Sequence, residues 1–368
     1  MRILFVEDYP PVARYGAGLP RARAVLEALL AQGHTVSLYP VFGLRGMSRG
    51  QATEALPAGV HLLEPAEPPG LLQHLAQEAA NYDLLWICRK HHMAPAVALR
   101  DRGLDLPPIV YDTEALEFHR DLRARRLRGE VVTPEIVAQL SAFETRLAGY
   151  ARAVVTVSVE ERRFYAENCQ TPAFVISATA ALRDGIAGPG ERAGLLFVGA
   201  LNADSEPNAD ALAYFFGEVW PRLRRLRPMT ATIAGWGTDR SPLVQSLAGP
   251  EVKVLGPVAD LDPLYARARL FIAPTRFAAG IPLKVIEAAA HGLPAVVSPL
   301  LAAQLGWTPE VELLAGSNPA SFAENCDYLA GDDALWTRLA EAARARVASQ
   351  FSREALGRAV CEVLAAAG

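Results

Sequence analysis

Short apolar runs alternate along the chain with longer segments in which apolar residues recur at helical spacing. This alternation is typical of parallel sheets whose strands are joined by crossover helices. The clearest predicted helix runs from Leu19 to Gln32 and ends at Gly33, where a left-handed stop is expected. The pattern therefore predicts a doubly wound α/β domain over residues 1–180. Its predicted strands are Ile3–Val6, Thr35–Val41, Val60–Leu63, Leu84–Cys88, Ile109–Tyr111, Val154–Val157 and Ala173–Ile176.

A second series of strands and helices follows a segment of small and turn-forming residues, Ser177–Gly194, which predicts an interdomain linker. This series predicts a second doubly wound, Rossmann-like domain over residues 190–350, with helices at Pro207–Leu226 and Leu283–His291. Its predicted strands are Leu195–Val198, Ala231–Ala234, Val252–Leu255, Leu270–Ala273, Ala295–Val297 and Val311–Leu314.

Two long helical patterns, Ala334–Gln350 and Arg353–Ala367, end the sequence with no strand after them. Such helices must pack on a sheet that is already built. Either the last one, within residues 351–368, crosses back to the first domain, or both cover the second sheet. The pattern leaves both arrangements open.

Composition narrows the class of protein. Among 368 residues, 51% are hydrophobic and 21% are charged, which excludes a disordered chain. The net charge of −4 gives no bulk electrostatic reason to bind nucleic acid. The four cysteines lie far apart, without the spacing of a zinc or redox pair, and predict buried thiols in a reducing compartment. With no signal-like or membrane-spanning run, we expect a cytoplasmic protein, at most peripheral at the inner face of the membrane.

Two glycine-containing loops follow strands of the second domain. One carries Gly199 and Asn202 and leads into a helix, so its backbone N–H groups could cradle a phosphate. The alternative is that Gly199 only allows a tight turn. The other holds Gly235 and Gly237 at the end of the next strand, where glycines let the backbone approach a ligand closely.

The most informative segment runs from Ala273 to Pro299, from strand through loop and helix to the next strand. Only three of the 36 basic residues in the whole chain are lysines. One of them, Lys284, stands in the first turn of the helix in this segment. A cation there opposes the helix dipole unless an anion binds beside it. A diphosphate would resolve that conflict. The predicted ligands of the diphosphate are Lys284, Arg276 and the backbone around Gly280, Ile281 and Pro282.

Glu287 follows Lys284 by one helical turn. Its carboxylate could accept hydrogen bonds from the two hydroxyls of a ribose. The alternative is a surface ion pair between Lys284 and Glu287, worth only a few tenths of a kcal/mol.

In the first domain, a long loop carries Gly16 and Gly18 before the first helix, and Asp112 and Glu114 end a later strand, with His119 beyond them. Side chains at this edge of a doubly wound sheet face a ligand cleft. The two carboxylates or the imidazole could orient an acceptor hydroxyl or take its proton. The alternatives are a flexible connection at the glycines, a helix cap at Glu114 and a surface residue at His119.

Two further groups in the first domain carry charge. His91 and His92 follow a strand, but adjacent residues at a helix start point in different directions, so no shared metal is expected. An arginine run is either a solvated helix face or a surface for anionic lipid headgroups. It consists of Arg120, Arg123, Arg125, Arg126 and Arg128.

The segments FVGALNADSEPNADAL, ATIAGWG and GIPLKVIEAAAHGLPAVVS together resemble the retaining GT-B glycosyltransferases of glycosyltransferase family 4. The resemblance covers nearly the whole chain. It implies a GT-B fold with two parallel sheets facing a central cleft, a nucleoside diphosphate-sugar donor on the second domain, a glycan or lipid-linked acceptor on the first, and transfer with retention. It implies no cofactor and no metal.

Two departures from the family pattern lie in the donor domain. The family often carries two glutamates eight positions apart, and matching Glu287 to the second places Ala279 at the first. The basic pair that many members carry after the first glycine loop is missing between Asn202 and Pro207, and Arg276 and Lys284 look like its replacement.

The function predicted is therefore a glycosyltransferase of cell-envelope polysaccharide or glycoconjugate biosynthesis. Two alternatives remain. One is a non-catalytic nucleotide- or sugar-binding subunit, which is suggested by Ala279 at the position of the family's first glutamate. The other is a nucleotide-sugar epimerase. A dinucleotide-dependent oxidoreductase is disfavoured because neither domain opens with a GxGxxG turn after its first strand.

Overall fold

The structure of the chain is a computed structural model that describes residues 1–12, 18–64, 70–203 and 205–368. It divides into two compact units. The first contains residues 1–179 together with residues 353–368, and the second contains residues 180–352. The boundary falls inside the turn-rich Ser177–Gly194 segment.

The first unit is built on a parallel sheet of seven strands with the order β3-β2-β1-β4-β5-β6-β7. The chain winds outward from β1 in both directions, which is the doubly wound arrangement that the alternating pattern predicts. Residues of β1 face partners on both sides, as Ile3 does opposite Val36 and Leu84. The strands are β1 Arg2–Glu7, β2 Thr35–Pro40, β3 Val60–Leu62, β4 Leu84–Cys88, β5 Ile109–Asp112, β6 Ala153–Thr156 and β7 Ala173–Val175.

Helices cover both faces of this sheet. Their apolar residues pack in two buried clusters, one on each face, because successive residues of a strand point to opposite sides. The helices are α1 Gly18–Ala31, α2 Arg49–Ala55, α3 Leu71–Glu78, α4 Lys90–Asp101, α5 Glu117–Leu127, α6 Pro134–Ala148 and α7 Val159–Asn168, with a short 3₁₀ turn at Ala79–Asn81.

The second unit is a parallel sheet of six strands with the order β10-β9-β8-β11-β12-β13. Val311–Leu314 was predicted as its last strand, but the pairing begins only at Leu314. Val311 lies in a turn in which its N–H donates to the Thr308 carbonyl, and Glu310 adopts a positive φ of 69°. The strands are β8 Leu195–Val198, β9 Ala231–Ala234, β10 Val252–Val254, β11 Leu270–Ala273, β12 Ala295–Val297 and β13 Leu314–Ala315.

The helices of the second unit are α8 Pro207–Tyr214, α9 Trp220–Leu226, α10 Pro242–Gln245, α11 Asp262–Arg267, α12 Leu283–Ala290, α13 Pro299–Leu305, α14 Pro319–Gly331 and α15 Asp333–Gln350. A 3₁₀ turn at Pro189–Glu191 precedes β8. The predicted helix Pro207–Leu226 is present, but a π-helical segment, Phe215–Val219, joins α8 to α9. Pro221 follows this segment and has no N–H to donate, which explains the local break in the α-helical ladder.

The last helix, α16 Arg353–Ala367, packs against α1 within the first unit. Its buried residues Leu356, Val360 and Val363 join the same apolar cluster as the inner face of α1. The Gln32 side chain donates to the Gly357 carbonyl at 3.2 Å. Of the two arrangements that the sequence leaves open, the structure therefore has the last helix on the first sheet, while α15 stays on the second.

None of the helices in the described ranges combines the length and apolarity that crossing a bilayer requires. Cys88 and Cys326 are buried as predicted. Cys361, however, is exposed on α16, and Cys169 is half-buried. The prediction of four buried thiols is therefore wrong for these two. Cys361 is exposed because it lies on the outer face of its helix.

Candidate functional site

The loops after β8 and β9 pack directly against each other at the carboxyl edge of the second sheet. Gly235 has a φ of 137°, and a Cβ there would overlap the Gly199 carbonyl oxygen. Gly237 has a φ of 78°, and its Cβ would overlap the Leu201 carbonyl oxygen. The sequence predicts these glycines as points of ligand access, whereas in the structure they make room for the neighbouring loop.

Gly237→Ala is therefore expected to destabilise the second unit by about 3 kcal/mol, since alanine brings both a left-handed backbone and a steric overlap. Gly217→Ala is the matched control, because a Cβ there meets only open space. The free energy of unfolding in urea checks both variants. Equal stability of the two would contradict this account of the glycines.

The loop before α8 contains a carboxylate that bonds to Asn202 and, in the described part of the chain, makes no hydrogen bond to the first-turn amides of α8. The Glu206 side chain, at the N-cap position, accepts hydrogen bonds from the Asn202 backbone N–H at 3.0 Å and from its side-chain amide at 3.3 Å. A negative charge at this position repels an incoming anion. The N–H groups of Asn202, predicted as a phosphate ligand, therefore already bond to Glu206.

The start of α12 differs from that of α8. Pro282 occupies the N-cap position, Ile281 before it is half-buried, and Gly280 adopts a φ of 80°. Within the described ranges, no side chain caps the first turn of α12. Its N-terminal amides therefore have the polarity that suits an anion.

Lys284 stands in this first turn, as the sequence predicts. Its ammonium donates to the Asn208 side-chain oxygen at 2.5 Å and lies 4.7 Å from the centre of the Phe197 ring. Burial lowers the pKa of Lys284 from 10.5 to about 8. Among the residues that the structure describes, no carboxylate forms an ion pair with it. Lys284 is thus a half-buried cation whose counter-charge a bound anion can supply.

Arg276 is differently placed. Its guanidinium pairs with Asp210 of α8, with Nε 2.9 Å from the carboxylate, and lies 4.9 Å over the Tyr214 ring. The sequence predicts Arg276 as a second diphosphate ligand, whereas the structure neutralises its charge with Asp210. Arg276 and Lys284 both attach the β11–α12 loop to α8, so Arg276 holds the position of that loop.

Glu287 is on the surface of α12, one turn after Lys284. One carboxylate oxygen accepts a hydrogen bond from the Tyr265 hydroxyl at 3.2 Å. The buried Tyr265 ring stacks on His291, with ring centres 4.7 Å apart, and the His291 Nδ1–H donates to the Glu287 carbonyl. The alternative Lys284–Glu287 ion pair is not formed in the described structure. Tyr265 instead fixes the orientation of the carboxylate, a role that sequence reasoning missed.

Asp112 in the first unit is fully enclosed, with 0% of its side chain exposed. The Arg21 guanidinium, itself 3% exposed, lies 3.0 Å from one oxygen, and the Trp86 ring N–H donates to the other at 3.1 Å. Arg21 also donates to the Ile176 carbonyl. The predicted catalytic role of Asp112 does not fit this burial, because an acceptor hydroxyl has no access to its oxygens.

Glu114 is a better candidate for chemistry. It and Arg89 both adopt positive φ values, 57° and 68°, and their side chains pair at 2.7 Å. Burial and the nearby Glu7 raise the pKa of Glu114, although Arg89 and Arg21 oppose the shift. Backbone strain of this kind persists only where surrounding contacts fix it, and it clusters at functional sites.

Gly18 contributes to the same cluster. A Cβ at Gly18 would lie 2.7 Å from a Glu114 carboxylate oxygen, so glycine lets the start of α1 approach this side chain. The structure thus brings together Gly18 and Glu114, which the sequence indicates separately. Gly16, the other predicted glycine of this loop, lies outside the described residues.

His119 lies in α5, and its described ring contacts are with aromatic residues rather than with Asp112 or Glu114. Its ring centre is 4.4 Å from that of Phe118 and 5.5 Å from that of Phe164. Burial, aided by Arg123, lowers the pKa of His119 to about 4. The imidazole is therefore neutral at physiological pH and packs in an aromatic cluster, which disfavours the predicted catalytic role.

His91 and His92 converge on one carboxylate. Their Nε2 atoms lie 2.8 and 3.1 Å from the same oxygen of Asp8. The expectation that these two imidazoles point apart is wrong, because the α4 start orients both toward the end of β1.

Sequence reasoning missed Arg21, Arg89, Asp8 and Tyr265. Arg21 left a readable signal, because it interrupts the apolar face of α1 formed by Leu19, Ala22 and Val25. Arg89 and Asp8 left a weaker one, since each follows a buried strand directly. No local pattern indicates that these residues meet.

The arginine run on α5 is largely paired. Arg120 contacts Asp121, Arg123 contacts Glu160, and both Arg125 and Arg128 contact Glu130. These pairs favour the solvated helix face over an attraction to anionic lipid. Membrane contact through this face stays a prediction.

Comparison with known proteins finds a family to which part of the second unit is similar. Residues 192–332 match the model of the family described as glycosyl transferases group 1. The matched range contains the Gly199, Gly235 and Gly237 loops and all of α12. No curated protein sequence matches the chain significantly.

Solved structures resemble the chain over its whole length. Sucrose-phosphate synthase from Thermosynechococcus elongatus is 16% identical, with a TM-score of 0.70 over 99% of this chain and 98% of that one. HepE from Anabaena in complex with UDP is 16% identical, with a TM-score of 0.70 over 99% and 100%. The lipopolysaccharide outer core galactosyltransferase WaaB is 12% identical, with a TM-score of 0.70 over 99% and 99%. At these identities the likeness concerns the fold, and the predicted GT-B fold class is confirmed.

Proposed function

We propose that this chain is a glycosyltransferase whose second unit binds a nucleoside diphosphate-sugar and whose first unit binds a glycan or lipid-linked acceptor. One observation carries the proposal: Lys284, a half-buried cation with an amide partner, stands at the uncapped start of α12 inside the range that matches group 1 glycosyl transferases. HepE was solved with UDP and with UDP-glucose, which supports a uridine diphosphate-sugar as the donor to test first.

In this proposal Lys284 and the first-turn amides of α12 hold the diphosphate. Negative charge grows on the diphosphate as the bond to the sugar breaks. A fixed ammonium in a poorly solvated site stabilises that charge more in the transition state than in the ground state, and so accelerates transfer. Arg276 acts indirectly, by tying the β11–α12 loop to Asp210.

On the acceptor side, Glu114 is the group proposed to interact with the acceptor hydroxyl. Its raised pKa brings its titration closer to neutrality, which suits a group that exchanges protons with a hydroxyl. Arg89 and the start of α1 hold its carboxylate in place. Retention of the anomeric configuration is part of the proposal, and NMR of the product measures it.

The direct test is release of nucleoside diphosphate. We expect UDP to raise the melting temperature of the purified chain, and a UDP-sugar with a suitable acceptor to yield UDP and a glycosylated product. A binding subunit would be stabilised by UDP without any turnover. An epimerase would convert the donor sugar and release no UDP.

Glu287→Gln is expected to weaken UDP binding by about 10–100-fold, because the amide replaces a charged acceptor of the ribose hydroxyls. Glutamine keeps the shape of the side chain and can still accept from Tyr265. Calorimetric titration with UDP and with 2′,3′-dideoxy-UDP measures the effect. The wild type and the variant should bind the dideoxy analogue equally, and a loss of the same size with both nucleotides would rule out the ribose contact.

A further inference from the structure

We propose that Asp8, His91 and His92 form a binding site for a divalent transition-metal ion of the zinc type. This site lies within the first unit, at the carboxyl edge of its sheet, where β1 and β4 end. The proposal goes beyond glycosyl transfer and does not depend on it.

The ligand atoms are already close together. The Nε2 atoms of His91 and His92 lie 2.8 and 3.1 Å from Oδ1 of Asp8, and one ligand atom from each residue falls within 4.8 Å of the others. Ligands around tetrahedral zinc, bound at about 2.0–2.1 Å, are about 3.3 Å apart. Small adjustments of the three side chains would therefore accommodate the ion. Two imidazoles and one carboxylate are a donor set that zinc accepts readily.

The burial and the tautomer of His92 provide a second, independent observation. Only 2% of its side chain is exposed, and its Nδ1 lies 2.7 Å from the Cys88 carbonyl oxygen. A carbonyl oxygen can only accept, so Nδ1 carries a proton, and in the neutral ring Nε2 then carries a lone pair. That lone pair faces the Asp8 carboxylate, and Nε2 makes no hydrogen bond within the described structure. A cation between the two atoms would replace this repulsion by two bonds.

The surroundings of the three residues also suit a metal. The bond from Nδ1 of His92 to a backbone carbonyl fixes the ring and the tautomer, as is usual for zinc-binding histidines. Arg89 lies 3.0 Å from Oδ2 of Asp8 and leaves Oδ1 to face the imidazoles. The Phe42 ring stacks on His91, with centres 5.8 Å apart. Three protein ligands leave a fourth position for a water or for an oxygen of a bound molecule.

The test is zinc binding by the full chain, purified without a polyhistidine tag and stripped with a chelator. We expect one zinc ion per chain in competition with a chromophoric chelator, and a higher melting temperature with zinc. His91→Gln should weaken zinc binding by about 100-fold or more, beyond the ~10–100-fold that loss of an outer-shell partner costs. Since 47% of the His91 side chain is exposed, this variant should fold. Cobalt(II) should give the visible absorption of a four-coordinate ion in the wild type only.

His61→Gln is the matched control, because His61 is an exposed histidine on β3 of the same unit. It should bind zinc like the wild type, whereas His92→Gln should resemble His91→Gln. Zinc affinity unchanged in both His91→Gln and His92→Gln would show adventitious binding and overturn the proposal. A wild-type chain that binds no zinc would overturn it as well.

Discussion

Lys284→Met is expected to slow donor turnover by about 10²–10³-fold while the ligand-free protein becomes more stable. The loss of rate follows from removing the ammonium that, in our proposal, faces the leaving diphosphate. The gain in stability follows because methionine keeps the apolar contact with Phe197 and removes a half-buried charge that has no carboxylate partner among the described residues. Steady-state kinetics and thermal melts of the same preparations measure both effects.

The pH dependence of stability tests independently whether the Lys284 charge destabilises the ligand-free protein. Burial lowers the pKa of Lys284 from 10.5 to about 8, so between these values the unfolded chain binds more protons than the folded one. Stability of the ligand-free wild type should therefore rise from pH 8 to pH 10.5, and Lys284→Met should lack this rise. Donor affinity should fall as the pH rises through 8, because the neutral amine no longer attracts the diphosphate.

Lys253→Met is the control for both measurements, because Lys253 is an exposed lysine on β10. It should leave turnover and its pH profile unchanged. If Lys284→Met transferred sugar at the wild-type rate, or lost stability without losing activity, the assignment of Lys284 to the diphosphate would be wrong.

Arg21→Met is expected to destabilise the first unit by about 3–5 kcal/mol, since it leaves the Asp112 carboxylate buried without its counter-ion. Asp112 is completely enclosed, and Trp86 supplies its other close partner. The Arg21→Met/Asp112→Asn double variant should recover part of the loss, because the neutral amide is easier to bury. Hydrogen exchange of the β1 and β5 amides reports on this unit separately from the second.

Arg163→Met is the comparison on the surface. Arg163 forms an i, i+4 pair with Glu167, and 78% of its side chain is exposed, so its loss should leave the free energy of unfolding nearly unchanged. Equal effects of Arg21→Met and Arg163→Met would contradict a structural role for the Arg21–Asp112 pair. A stable Arg21→Met variant without transferase activity would return Asp112 to the list of functional candidates.

The sequence by itself determined the layered α/β architecture and most element bounds. A central strand such as Leu270–Ala273 is a short run of buried apolar residues, and a helix such as Leu283–Ala290 buries one apolar face, so both patterns can be recognised in consecutive residues. It also placed Lys284 correctly in the first turn of α12, because helix starts follow local rules. The prediction failed at Val311, where a turn stabilised by Glu310 and Thr308 displaced the start of the strand.

Only the tertiary structure decided which charged groups meet. Arg21 and Asp112 are 91 residues apart, and the oxygen that His91 and His92 share belongs to Asp8, which follows a different strand. Asp210 pairs with Arg276, and Tyr265 orients Glu287. No local sequence pattern indicates either contact, because the partners lie on different segments of the chain. A parallel sheet gathers the ends of distant strands at one edge, while periodicity specifies only where each strand ends. The direction of each side chain, and hence its partner, is set by packing.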